Sequence, residues 1–127
     1  MMRYHLFNIG YEWQDEYGNI KDSADFKNLY RYSPLQNVKQ GVNYPAMLLV
    51  AGDNDDRVNP FHSFKFLAAM QANSARQNPC ILYYEKQAGH VISRDVEKTE
   101  DTEAFIYSFI YKYLGIANKI AYNKPSW

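Results

Sequence analysis

The stretch YPAMLLVAGDNDDRVNPFHSFKF, residues 44 to 66, decides the fold. Tyr44 to Ala51 is a short apolar run closed by Gly52, the pattern of a strand buried on both faces of a parallel sheet, with Pro45 tolerated at its first residues. An acidic loop carrying Asp53, Asp55 and Asp56 follows. Asn59-Pro60 then reads as a cap with proline at the first helical position. Phe61, Phe64, Leu67, Ala68 and Gln71 recur at helical spacing over about three turns.

Downstream, Asn78-Pro79 breaks that helix and Cys80 to Tyr84 reads as a second strand rich in β-formers, ended by Ala88-Gly89-His90. From about Asp95 onward, Thr102, Phe105, Ile106, Phe109, Ile110 and Tyr113 form one apolar stripe. It is expected to be core on an amphipathic helix covering the sheet, with Lys112 near its end and Gly115 as its stop. Upstream, residues 1 to 43 carry turn signals such as Tyr17-Gly18-Asn19 and Ser33-Pro34 and no long period. One helix is expected there, Ser23 to Leu29, with Ser23 as its cap. Strand, helix, strand, helix is the alternation of an α/β fold. Residues 1–116 are expected to form one segment of such a domain, and 117–127 a polar tail.

The chain of 127 residues, 46% hydrophobic and 17% aromatic, suffices for one core and leaves no room for a second full domain. Fourteen basic residues balance fourteen acidic ones, so the basic footprint of a nucleic-acid binder or a polybasic membrane-surface protein is missing. Nucleic acid and membrane are not expected partners, and no apolar run approaches the roughly 18 residues of a membrane span. Cys80, the single cysteine, has no partner for an internal disulfide and no Cys/His spacing for zinc. No cofactor or metal is expected. This usage is compatible with a reducing compartment, and a cytoplasmic location is expected. A periplasmic or secreted one stays open, since the true N-terminus is expected to lie upstream of Met1.

In α/β folds reactive side chains collect in loops at the carboxyl ends of parallel strands. Asp55 follows the first strand and His90 the second, so neighbouring strands can bring carboxylate and imidazole together. In α/β-hydrolases the chain order is nucleophile, acid, histidine. This chain supplies the last two in that order. Ser23, Ser33, Ser63, Ser74, Ser93, Ser108 and Ser126 all lack the flanking glycines of the G-x-S-x-G elbow, and Cys80 sits within a strand. Taken singly, these residues also have plainer readings. Asp55 is equally a turn or capping residue before Pro60, His90 a loop histidine, Trp13 a core or interface aromatic, and Arg57 a solvated partner of a neighbouring aspartate. His5 and His62 have no partner at ligand spacing and read as structural.

Four motifs join these residues: RYHLFNIGYEWQDEYGN at 3–19, RYSPLQNV at 31–38, the 44–66 stretch, and KQAGH at 86–90. With them the chain, from Tyr4 to about Ile116, resembles the C-terminal part of prolyl oligopeptidases, serine peptidases whose α/β-hydrolase domain is capped by a β-propeller. The resemblance implies that Asp55 is the triad acid and His90 the triad base. It also implies that Arg57 binds the substrate backbone and that Trp13 stacks on a proline ring, with Tyr17 and Val58 lining the pocket. The glycine that usually follows the histidine is Val91 here.

The expected function is therefore hydrolysis of short peptides after proline. The chain would be the C-terminal portion of an α/β-hydrolase fold, incomplete without the upstream nucleophile half, which with the β-propeller is its expected partner. Two alternatives remain: a non-catalytic, self-associating fragment, or another α/β-hydrolase such as an esterase or a dipeptidyl-peptidase-like enzyme. Trp13 and Arg57 weigh against the last, because an esterase needs neither a proline platform nor a backbone clamp.

Overall fold

The computed structural model describes residues 1–75, 77–90 and 96–116. The chain divides into two compact units, Met1–Ser93 and Arg94–Trp127.

In the first unit, 3-10 turns at Tyr4–Leu6 and Asn8–Trp13 lead into a short helix α1 (Gln14–Tyr17) and then α2 (Ser23–Tyr32). Strand β1 (Met47–Gly52), helix α3 (Phe61–Asn73) and strand β2 (Cys80–Glu85) follow. The two strands pair in parallel, in register from Met47 opposite Cys80 to Gly52 opposite Glu85. Both strands are parallel, as expected, but β1 is not buried on both faces. Met47 to Ala51 are half-buried and only Gly52 is fully covered. The sheet among the described residues has two strands.

Several element ends differ from the sequence reading. Helix α2 is capped by Asp22 rather than Ser23, because the Asp22 carboxylate accepts from the N–H groups of Ala24 at 2.8 Å and Asp25 at 3.0 Å. It runs past Leu29 to Tyr32 and stops ahead of Pro34. Asn59 does cap α3, through Phe61 N–H to Asn59 Oδ1 at 3.0 Å. That helix stops at Asn73, well before Asn78-Pro79, where residues 41–42 take over its last groups: Gly41 N–H donates to Asn73 O at 2.7 Å and Ala75 N–H to Val42 O at 3.0 Å. The core of this unit centres on Tyr4, Leu29, Ser33, Met70 and Ala88.

The second unit contains α4 (Val96–Tyr113), 18 residues and roughly 27 Å long at about 1.5 Å per residue. Glu97 in its first turn and Lys112 in its last suit the helix dipole. Of its apolar stripe, Thr102 is buried and Ile106 and Phe109 are half-buried, whereas Phe105, Ile110 and Tyr113 stay exposed. The covered spine is therefore narrower than the stripe. Gly115 follows with φ +70°, the left-handed conformation of a helix stop. Val91 and the 117–127 tail lie outside the described residues.

Candidate active site

The site forms where the chain leaves the carboxyl ends of β1 and β2. Asp55 accepts from the backbone N–H groups of Arg57 at 2.9 Å and Val58 at 2.8 Å through Oδ1, which winds the loop into a tight turn. The same carboxylate meets His90 Nδ1 at 3.1 Å through Oδ1 and at 3.0 Å through Oδ2. The turn reading and the histidine-partner reading of Asp55 thus hold together. Asp55 is 12% exposed and His90 39%.

Partial burial pushes the Asp55 carboxyl up, but hydrogen bonds from Val58 N–H, His90 and Arg57 N–H, with the charge of His90, bring it down overall. An ionised carboxylate only accepts, so Nδ1 carries the proton and, in the neutral ring, Nε2 keeps its lone pair. That tautomer suits a general base acting through Nε2.

Trp13, Tyr17, Arg57 and Val58 line one apolar pocket of about 730 Å³, together with Phe7 and His62 among others. Tyr4 builds its floor. The buried Tyr4 hydroxyl donates to Gly18 O at 2.7 Å and lies 3.5 Å from Trp13 O, and its ring meets Tyr17 edge-on at 5.9 Å. Burial raises the Tyr4 pKa, which keeps the phenol a donor. Arg57 makes no ion pair among the described residues, so the plain reading of it as a salt-bridge partner is not met. Its exposed guanidinium stays available at the pocket wall.

Several residues to which the sequence reading gave no part in the site help to shape it. His62 lines the pocket with its ring edge-on to Phe7 at 5.2 Å, and burial lowers its pKa, which favours the neutral form. Asn8, at φ +47°, donates from Nδ2 to Asp55 O at 3.1 Å and so ties the segment leading to Trp13 to the acid loop. Asparagine tolerates that left-handed conformation better than most residues, and that is the one signal the sequence carried. Asp53 reaches the histidine loop, with Ala88 N–H donating to its Oδ1 at 3.1 Å. His5, by contrast, keeps a buried Nδ1 with no partner among the described residues. No His/Cys/Asp/Glu cluster suited to a metal occurs among the described residues. No described helix is long and apolar enough to cross a membrane.

A parallel βαβ unit whose strand ends bring Asp55 and His90 together is a segment of an α/β domain. Residues 1–117 match the prolyl oligopeptidase family, and the chain belongs to that family. It is 42% identical over 119 residues to the prolyl endopeptidase of Elizabethkingia miricola, covering 93% of this chain and 17% of that protein. To the prolyl endopeptidase of Dictyostelium discoideum it is 37% identical over 119 residues, covering 91% of this chain and 16% of that one.

Among solved structures, one from a mechanistic study of two prolyl endopeptidases superposes with a TM-score of 0.88 at 41% identity, over 91% of this chain and 17% of that one. Prolyl oligopeptidase B from Galerina marginata, bound to a 35-residue hydrolysis and macrocyclization substrate, gives 0.84 at 33% identity over 91% of this chain and 16% of that one. The fold is that of the matching part of these enzymes. The chain spans about 17% of the length of the curated relatives it matches.

Proposed function

We propose that this chain supplies the acid, the base and part of the proline pocket of a serine peptidase that cleaves short peptides on the carboxyl side of proline. The observation that carries this reading is the 3.0 Å contact between Asp55 and His90 Nδ1, beside a pocket lined by Trp13, Tyr17, Arg57 and Val58. In acyl transfer, His90 Nε2 takes the proton of a serine hydroxyl as it attacks the peptide carbonyl, then returns it to the leaving amine, while Asp55 holds the tautomer and stabilises the imidazolium. The flat indole of Trp13 offers a stiff, weakly hydrated proline ring dispersion contact without asking for a hydrogen bond. The fork of donors on Arg57 suits a peptide carbonyl. None of the seven serines stands in an elbow motif, so the nucleophile comes from a separate part of the peptidase. Support comes from Galerina marginata prolyl oligopeptidase B, which has been solved with substrate as variants carrying alanine for a serine, a histidine or an aspartate.

The test is a chimera in which residues 1–117 of this chain replace the matching segment of the Elizabethkingia miricola enzyme. It is expected to hydrolyse a chromogenic Gly-Pro amide. Asp55→Asn should lower kcat on the order of 10⁴-fold, and Trp13→Ala should cost proline selectivity more than stability. The 127-residue chain alone should show no turnover and no fluorophosphonate labelling. Labelling at any of its serines, or an Asp55→Asn chimera with undiminished kcat, refutes the assignment.

A further inference from the structure

The two loops that meet at Asp55 and His90 are joined by a second side chain. Asp53 Oδ1 accepts from Ala88 N–H at 3.1 Å, and Asn54 N–H donates back to Ala88 O at 3.0 Å, so the peptide groups flanking Ala88 are gripped on both sides. Ala88 itself is buried, at 1% exposure. Just before it, Gln87 takes φ +60°, a left-handed conformation that a non-glycine residue keeps only where its surroundings over-determine it. On the other side Gly52 packs so closely that a Cβ there would lie 2.4 Å from Ala88 O and 2.8 Å from Gly89 O. The Asp53–Ala88 and Asp55–His90 contacts also share one sequence offset, 35 residues. Asp53 thus grips the histidine loop two residues ahead of the point where Asp55 receives the imidazole. Hydrogen bonds from Gln87 and Ala88 hold the Asp53 carboxyl below the ordinary aspartate range, as a carboxylate engaged by backbone amides requires.

We propose that Asp53 is a positioning residue: by clamping Ala88 it sets the height and register of the histidine loop, so that His90 Nδ1 reaches Asp55. Asp53 touches no reacting atom. Its effect on turnover runs through His90 and rests on the peptidase reading above, whereas its effect on the loop does not.

The experiment therefore has two arms. In the 127-residue chain, amide exchange at Ala88 and the ring 15N resonances of His90 are followed in the unsubstituted chain, Asp53→Ala and Asp53→Asn. Asp53→Ala should speed exchange at Ala88 by tenfold or more, on the order expected for a freed amide. It should also erase the signature of Nδ1–H bonded to Asp55. Asp53→Asn, whose amide oxygen still accepts, should recover much of both. An unchanged Ala88 rate, or a His90 ring signature that survives Asp53→Ala in a folded chain, refutes the positioning role.

In the chimera, Asp53→Ala should lower kcat on the order of 10²-fold, the usual result of a misplaced catalytic group. KM should stay within a few-fold, and Asp53→Asn should restore most of the rate. An active chimera indifferent to Asp53→Ala also refutes the role. An unsubstituted chimera without activity sinks the peptidase reading, and the exchange arm alone then decides Asp53.

Discussion

Gly52→Ala probes the contact on which both loops depend. The new Cβ would meet Ala88 O at 2.4 Å, Gly89 O at 2.8 Å and Ala88 C at 2.9 Å. All three are backbone atoms, so no side chain can rotate aside. Reaching an ordinary contact of 3.4 Å from 2.4 Å takes about 1 Å of separation between the loops. That shift would stretch the Asn54–Ala88 and Ala88–Asp53 bonds, now 3.0 and 3.1 Å, beyond hydrogen-bond range.

Overpacking of this kind costs about 1–3 kcal/mol and each lost hydrogen bond about 0.5–1.5. The terms overlap, so ~2–4 kcal/mol is the expected total. At about 4 °C per kcal/mol for a chain of 127 residues, Tm should fall by about 8–16 °C. Near-UV circular dichroism during a thermal scan reads it. Gly89→Ala is the control, because its Cβ would find only Asn54 O, at 3.9 Å, and its Tm should scarcely move. Equal Tm values for the two variants would show that the loops yield freely and that no tight contact is built there.

Acid should act on the same place. The Asp53 and Asp55 carboxyls both sit below the ordinary aspartate value when folded, so the stability they contribute is present above about pH 4 and is lost as pH falls through their folded values. Thermal midpoints should decline gently below about pH 6.5, where unfolding lets the half-buried, neutral His62 take up a proton, and drop more steeply below ~4. The Asp53→Asn/Asp55→Asn double variant should show a shallower acid limb, and an unchanged limb would assign it to other carboxylates. Association is the second expectation. The sheet has two strands among the described residues, and large apolar side chains such as Leu6, Val58 and Phe61 are exposed, at 58%, 41% and 54%. Light scattering after size exclusion should find a dimer or larger species at micromolar concentration; a cooperatively unfolding monomer would show that the chain closes its own core.

The contact between Asp55 and His90 was legible because each falls in the loop after a strand, and apolar run, glycine stop and loop can be read locally. The meeting of Trp13, Tyr17, Arg57 and Val58 around one pocket was legible only through motif resemblance, since 44 residues separate Trp13 from Arg57 and no period links them. The cap of α2 was misread by one position because Asp22 and Ser23 are both strong caps, and only the backbone conformation chooses between them. The half-burial of β1 was hidden for another reason. A run such as MLLVA reports what a strand needs covered, not how many neighbours the sheet provides. Asn8 and Gln87 escaped notice because their left-handed backbones are imposed by tertiary partners and not by glycine.

The strand register explains why Asp55 and His90 meet at all. Along the ladder, partners are 33 residues apart, as in Met47 opposite Cys80. Past the strand ends, Asp53 with Ala88 and Asp55 with His90 are 35 apart. Two extra residues have therefore entered the second loop between Glu85 and Ala88, namely Lys86 and Gln87. The φ of +60° at Gln87 turns the chain there, so that the excess is absorbed at once and Ala88 returns beside Asp53 and Asn54. Neither loop is a strand at this point, so the hydrogen bonds among Asp53, Asn54 and Ala88, not strand alternation, set where the two loops meet. With Ala88 held beside Asp53 and Asn54, the imidazole of His90 two residues further on comes within 3.0 Å of the Asp55 carboxylate. Deleting one residue from 86–87 would draw Ala88 off Asp53 and Asn54 and so pull His90 away from Asp55, with both side chains still present.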